Sequence, residues 1–138
     1  WRVALDGETP PSLFAATDDQ NLVGDVEGLD IYHGESRSVL LASSQGDSSY
    51  VAYDLASAEQ LAKFAIASTP DDSIDGTQDT DGIAVSNAAI SGHPKGLLVV
   101  QDGFNIDQDQ RTLNQNFKLI DWRDVQSLFS RAGLPNQE

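Results

Sequence analysis

Asp25-Val26-Glu27-Gly28-Leu29 and Asp79-Thr80-Asp81-Gly82-Ile83 share one plan: an acid, a spacer, a second acid, a glycine and the start of an apolar run. The two copies lie 54 residues apart. Downstream, Leu41-Ala42-Ser43-Ser44-Gln45 matches Leu97-Leu98-Val99-Val100-Gln101 at an offset of 56, and a glycine follows each glutamine at Gly46 and Gly103. Further on, Tyr50-Val51-Ala52-Tyr53 and Asn116-Phe117-Lys118-Leu119 both read as alternating strands.

A repeat of this length, with three or four strands per unit, is the signature of propeller blades. One blade cannot bury both of its faces and two cannot close a ring, so such a piece depends on neighbouring blades. An up-and-down sandwich with similarly spaced hairpins is the alternative. Working outward, nine β-like runs are expected between Gly, Asp, Ser and Asn clusters. They are Leu13 to Thr17, Leu29 to His33, Ser38 to Ser44, Tyr50 to Leu55, Leu61 to Ala67, Gly82 to Ser86, Gly96 to Gln101, Asn116 to Trp122 and, less regular, Trp1 to Leu5. Ser57 to Ala67 is rich in helix formers, but alternation of Ala62, Phe64 and Ile66 against Lys63 and Ala65 favours a strand. Trp122, Val125, Leu128 and Phe129 recur at helical spacing, with Gly133 and Pro135 as stop signals. The expected fold is all-β: about two four-stranded blades (20–70 and 71–122) of a β-propeller and a short C-terminal helix (122–132).

Composition bounds the chemistry. The 138 residues carry a net charge of −14 and no cysteine, which removes disulfides, thiolate nucleophiles and thiolate metal sites. That charge repels phosphate backbones and anionic lipid surfaces, so neither nucleic acid nor a membrane is expected as partner. With no methionine even at position 1, and no long apolar stretch within Trp1 to Leu5, the sequence reads as a portion of a longer precursor without an export signal of its own.

The acids are placed for a hard cation. If the segments are extended, Asp25 and Glu27 point one way, as do Asp79 and Asp81. Carboxylates with the amide oxygens of Gln45 and Gln101 suit Ca²⁺ better than Zn²⁺. The densest run, Asp71 to Gly82, also reads as a solvated turn in which Asp and Gly supply left-handed conformations. It is not an EF-hand loop, since no bidentate glutamate stands at its twelfth position and no helices flank it. His33 and His93 show no catalytic pattern. No Gly-x-Ser-x-Gly elbow or phosphate-cradling loop is present.

Five blocks taken in order, Asp25-Val26-Glu27-Gly28-Leu29, Leu41 through Tyr50, Asp75-Gly76-Thr77-Gln78-Asp79-Thr80-Asp81-Gly82, Gln101 through Asp107, and Asn114 through Lys118, resemble the motifs of the β-propeller phytases. The resemblance covers about residues 20 to 122. It implies a six-bladed propeller whose channel binds several calcium ions and hydrolyses calcium phytate and other inositol phosphates. The attack is by a metal-activated water, without a covalent intermediate. Carried over position by position, it implies cation ligands at Asp25, Glu27, Gln45, Asp75, Asp81, Asp102 and Asn105, with no catalytic residue beyond them. Asp79 is equally a ligand or a brace for its turn. Tyr50 and Phe117 are expected in the blade core, and Lys63, Lys95, Arg111, Lys118 and Arg123 as surface charges. Asp47 stands where the family often has Asn, and Phe104 where an acid is common.

The resemblance further implies a secreted or periplasmic enzyme whose remaining blades supply the phosphate grip. The alternative function is an incomplete propeller that binds calcium without turnover. Alone, the 138 residues are expected to be inactive, with exposed blade edges open to self-association.

Overall fold

A computed structural model describes residues 1–131. Four strands, β1 (Leu29–His33), β2 (Ser38–Ser44), β3 (Ser49–Asp54) and β4 (Gln60–Phe64), form an antiparallel meander in sequence order. A second meander contains β5 (Ile83–Ser86), β6 (Leu97–Asp102) and β7 (Asn116–Asp121), and helix α1 (Trp122–Arg131) follows directly. Two up-and-down sheets and a terminal helix agree with part of a β-propeller. Among the described residues the second sheet has three strands, not the four expected. The segments at 1–5 and 13–17 form no strand. Only an isolated bridge between Arg2 and Ser12 remains of them. Gly133 and Pro135 lie outside the described residues, as does the expected helix end at 132.

Alternation builds the core. Val39 and Leu41 of β2, Tyr50 and Ala52 of β3 and Leu61 of β4 meet Leu98 and Val100 of β6 and Trp122, Val125 and Phe129 of α1. Each such side chain contributes roughly 1.5–3 kcal/mol by leaving water. Trp122 stacks on Tyr32 with centroids 3.7 Å apart. The Tyr32 hydroxyl donates to the Lys95 carbonyl at 2.8 Å, so the one polar atom of that ring is satisfied. On the opposite face of the first sheet, Ala42, Val51 and Tyr53 bury against Leu22, Phe14 and Val26 of the N-terminal segment. The first sheet is therefore covered on both sides.

The second sheet is not. Phe117 and Leu119 of β7 are 65% and 63% exposed, while Lys118 between them is buried. The expected core position of Phe117 is thus reversed: alternation was read correctly, but its apolar members face outward. Tyr50 is in the core as expected.

The first strands of the two sheets are neighbours. Val85 N–H donates to Asp30 Oδ2 at 2.7 Å and Asn87 Nδ2 donates to the His33 carbonyl at 2.6 Å, tying β5 to β1. Because both sheets are antiparallel meanders, the segments before β1 and β5, the ends of β2 and β6 and the start of β7 all come to one end. The acidic motifs are at that end.

Candidate metal centre

The strand registers correct the repeat. Ala42 faces Leu29 and Val100 faces Ile83, so Ala42 and Val100 are equivalent and Ser43, not Gln45, is the counterpart of Gln101. Ser43 N–H and Gln101 N–H confirm it by donating to the carbonyls of Gly28 and Gly82. Gln101 is within β6, whereas Gln45 opens the 3₁₀ turn Gln45–Asp47 after β2 instead of ending the strand. The mismatch arises because the connection after β5 is longer than the one after β1 by more than the change in offset from 54 to 56 allows.

Asp25 and Asp79, the first acids of the two motifs, are both left-handed, with φ of 59° and 52°. Neither segment is extended there, so the expectation that the two acids of each motif share a direction does not carry through. Aspartate tolerates this conformation better than most residues. Gln45 N–H donates to the Asp25 carbonyl and Gly103 N–H to the Gln78 carbonyl, fixing the two bends.

Gly28 brings the motifs together. A Cβ there would lie 2.7 Å from the Asp81 carbonyl oxygen and 2.9 Å from the Ile83 nitrogen, so only glycine permits the approach. Gln45 Nε2 then donates to Asp81 Oδ1 at 2.5 Å, and Asp81 N–H donates to Gln101 Oε1 at 2.8 Å. Asp25, Glu27 and Asp81 are exposed and Gln45 is half-buried. This group presents oxygen donors to solvent.

A second group is closed. Asp102 is wholly buried at the end of β6, and its Oδ1 accepts from Gln78 N–H at 3.1 Å and Phe104 N–H at 3.4 Å. Its Oδ2 has no hydrogen-bond donor, but the Lys118 ammonium stands 3.3 Å away. The same ammonium donates to Asp75 Oδ1 and, at 3.2 Å, to Asn105 Oδ1. Asp75 Oδ2 accepts from Ile106 N–H at 2.8 Å, and Asn105 Nδ2 donates to the Asn114 carbonyl at 2.7 Å. Burial alone would raise the Asp75 carboxyl; the hydrogen bonds from Lys118 and Ile106 outweigh it and hold the group below its ordinary value.

Lys118 is therefore not the surface charge expected from sequence. A lysine in an alternating strand gives no signal of burial by itself. The nearest signal was its apolar flanks, Phe117 and Leu119, which had to face the other way. Of the other expected surface cations, Lys63 pairs with Asp47 at 2.6 Å and Arg123 with Asp121 at 2.7 Å, both partly exposed.

Among the described residues, no three His, Asp or Glu side chains converge as a ready-made metal cluster. The chemistry nonetheless fits a hard cation, since every side-chain donor is a carboxylate or an amide. Two oxygens, Asp102 Oδ2 and Asn116 Oδ1, are buried without a hydrogen-bond donor. They belong to register partners across β6 and β7. A cavity of about 420 Å³ is lined by Asn116 together with Asp75, Asn105, Asp107 and Lys118. Asp79 is exposed, and its N–H donates to Ser48 Oγ at 3.3 Å.

Comparison with known proteins agrees with this geometry. A family model described as Phytase matches residues 5–135. The 3-phytase of Bacillus subtilis (strain 168) is 43% identical over 108 residues, covering 76% of this chain and 28% of that protein. The chain thus spans less than a third of the length of this curated relative. With paired acidic motifs at one end of successive antiparallel sheets, and a family match over nearly its whole length, the chain belongs to the phytase family.

Proposed function

We propose that the polypeptide carrying this chain is a calcium-dependent phytase, releasing phosphate from inositol hexakisphosphate and related inositol phosphates. The observation that carries the reading is the convergence of two acidic motifs through Gly28, at the end of the sheets where Gln45 and Asp81 meet. Family membership supplies the reaction class.

Asp25, Glu27, Gln45 and Asp81, the exposed group, are the proposed cation ligands, whereas Asp75 and Asn105, ligands by the family resemblance, accept from Lys118. Calcium, when bound, supplies the positive charge that lets a polyanionic phosphate ester approach carboxylates and polarises its phosphoryl group. The protein's part is positional. Gly28 and the two left-handed aspartates set the spacing of the motifs. Gln45 and Gln101 hold Asp81 from its side chain and its backbone, so the carboxylate is oriented before any ligand arrives.

The other blades of the propeller, which this chain does not supply, are proposed to carry the cationic grip on substrate phosphates, and an extracytoplasmic location belongs to the same reading. The test is phosphate release from calcium phytate by the full-length polypeptide, with and without chelator, alongside Asp81→Asn. Chelator-sensitive release that the substitution abolishes is expected. Release indifferent to chelator overturns the calcium reading, and calcium binding without release identifies a binding module.

A further inference from the structure

Among the acids at this end, one has no route to solvent. Asp102 is completely buried, and a buried carboxylate is costly unless paired. Its compensation is already present. Lys118, whose side chain is 8% exposed, reaches Asp102, Asp75 and Asn105 together. These four residues come from three separate stretches of chain: the loop before β5, the β6 end with its following turn, and β7.

We propose that Lys118 and Asp102 are positioning residues rather than cation ligands, and that the Lys118 ammonium serves as the chain's own counter-cation, keeping these three stretches assembled when divalent cations are absent. The links run outward from the ammonium. Through Asp75 Oδ2 it fixes the Ile106 amide. Through Asp102 Oδ1 it fixes the Gln78 amide, three residues before Asp81. Gly103 N–H closes the same contact by donating to the Gln78 carbonyl at 2.8 Å. A Cβ on Gly103 would lie 2.8 Å from the Asp79 carbonyl oxygen, so the β6 turn abuts the loop that presents Asp81. Asp81 is thereby anchored from one side without metal, while Asp25 and Glu27 have no such internal cation among the described residues. This division rests on the calcium reading only for the exposed group; the assembly around Lys118 stands without it.

Amide hydrogen exchange on the full-length polypeptide separates the two claims. In EDTA, the Gln78 and Ile106 amides are expected to stay protected to within about twofold of their calcium-loaded rates. A loss of protection beyond roughly tenfold would show that an exogenous cation holds this group and would overturn the proposal. In Lys118→Met, the same two amides should exchange at least about tenfold faster while the β2–β3 ladder is unchanged. Uniform acceleration of all amides would mean a merely structural lysine and would also overturn it. Where Lys118→Met does not fold, Lys118→Met combined with Asp102→Asn removes the stranded charge and is read in the same way. If the wild type binds no calcium in titration calorimetry, the functional reading fails, yet the EDTA and Lys118→Met arms still decide the role of Lys118.

Discussion

Around Lys118, Asp102 is buried and Asp75 partly buried, and both are compensated by the ammonium and hydrogen-bonded on nearly every oxygen. Asp25, Glu27 and Asp81 are exposed, and among the described residues only Asp81 of these has a side-chain partner, in Gln45. Both groups lie at the same end of the sheets. The difference is the origin of the positive charge. One group carries its own and gains rigidity, whereas the other leaves its charge uncompensated and so retains affinity for something outside the chain.

The comparison breaks most severely at Lys118. Lys118→Met should lower the unfolding free energy in EDTA by about 3–5 kcal/mol, because it strands the Asp102 carboxylate in the interior. Denaturant titration checks this. A loss under 1 kcal/mol would mean that Asp102 finds another donor. Next comes Gly28→Ala, which drives a methyl group into the Asp81 carbonyl and should cost about 1–3 kcal/mol. It should also weaken calcium binding in calorimetry, since Asp81 is displaced from Gln45.

Asp81→Asn sharpens the contrast in the opposite sense. It should reduce calcium affinity at least tenfold, about 1.4 kcal/mol, while leaving stability in EDTA within about 0.5 kcal/mol of wild type. Acid should act on the closed group. Against burial, which raises it, the Asp75 carboxyl is held below its ordinary value, chiefly by the Lys118 hydrogen bond, so its contribution is fully present above the unfolded value and fades as pH falls through the folded one. Melting in EDTA should show that acid limb, and Asp75→Asn should flatten it. The smallest effect belongs to the partly exposed Lys63–Asp47 pair: Lys63→Met should cost less than about 1 kcal/mol, and the difference should shrink in high salt.

How much of this could be read from the sequence follows from what each signal measures. Period-two patterning located β1, β2, β3, β5, β6 and β7 and resolved Gln60–Phe64 as a strand against its helical composition, because Ala62 and Phe64 pack on one core. It failed at residues 1–5 and 13–17, where alternation exists but no partner strand pairs with it. It also assigned the wrong face to Phe117. Alternation says that two faces differ, not which one is covered. The repeat revealed both motifs, yet connections of unequal length misaligned the glutamines. Left-handed Asp79 lies in the Asp71 to Gly82 run that also reads as a turn, whereas left-handed Asp25 lies in a segment read as extended and is fixed by the amide bonds around it. The closed group was legible only as candidate ligands: nothing local marks Lys118 as the cation that joins Asp75, Asp102 and Asn105.

The stacking of Trp122 on Tyr32 has a practical consequence. Only two tryptophans are present, and they occupy opposite environments, with Trp1 77% exposed and Trp122 1%. Trp122 touches residues from both sheets and belongs to the helix, so its emission colour is an optical gauge of whether the blades remain seated on one another. In a Trp1→Phe background, a red shift of that single indole would report the sheets parting. Far-ultraviolet circular dichroism, which counts strands individually, would register the change later or not at all.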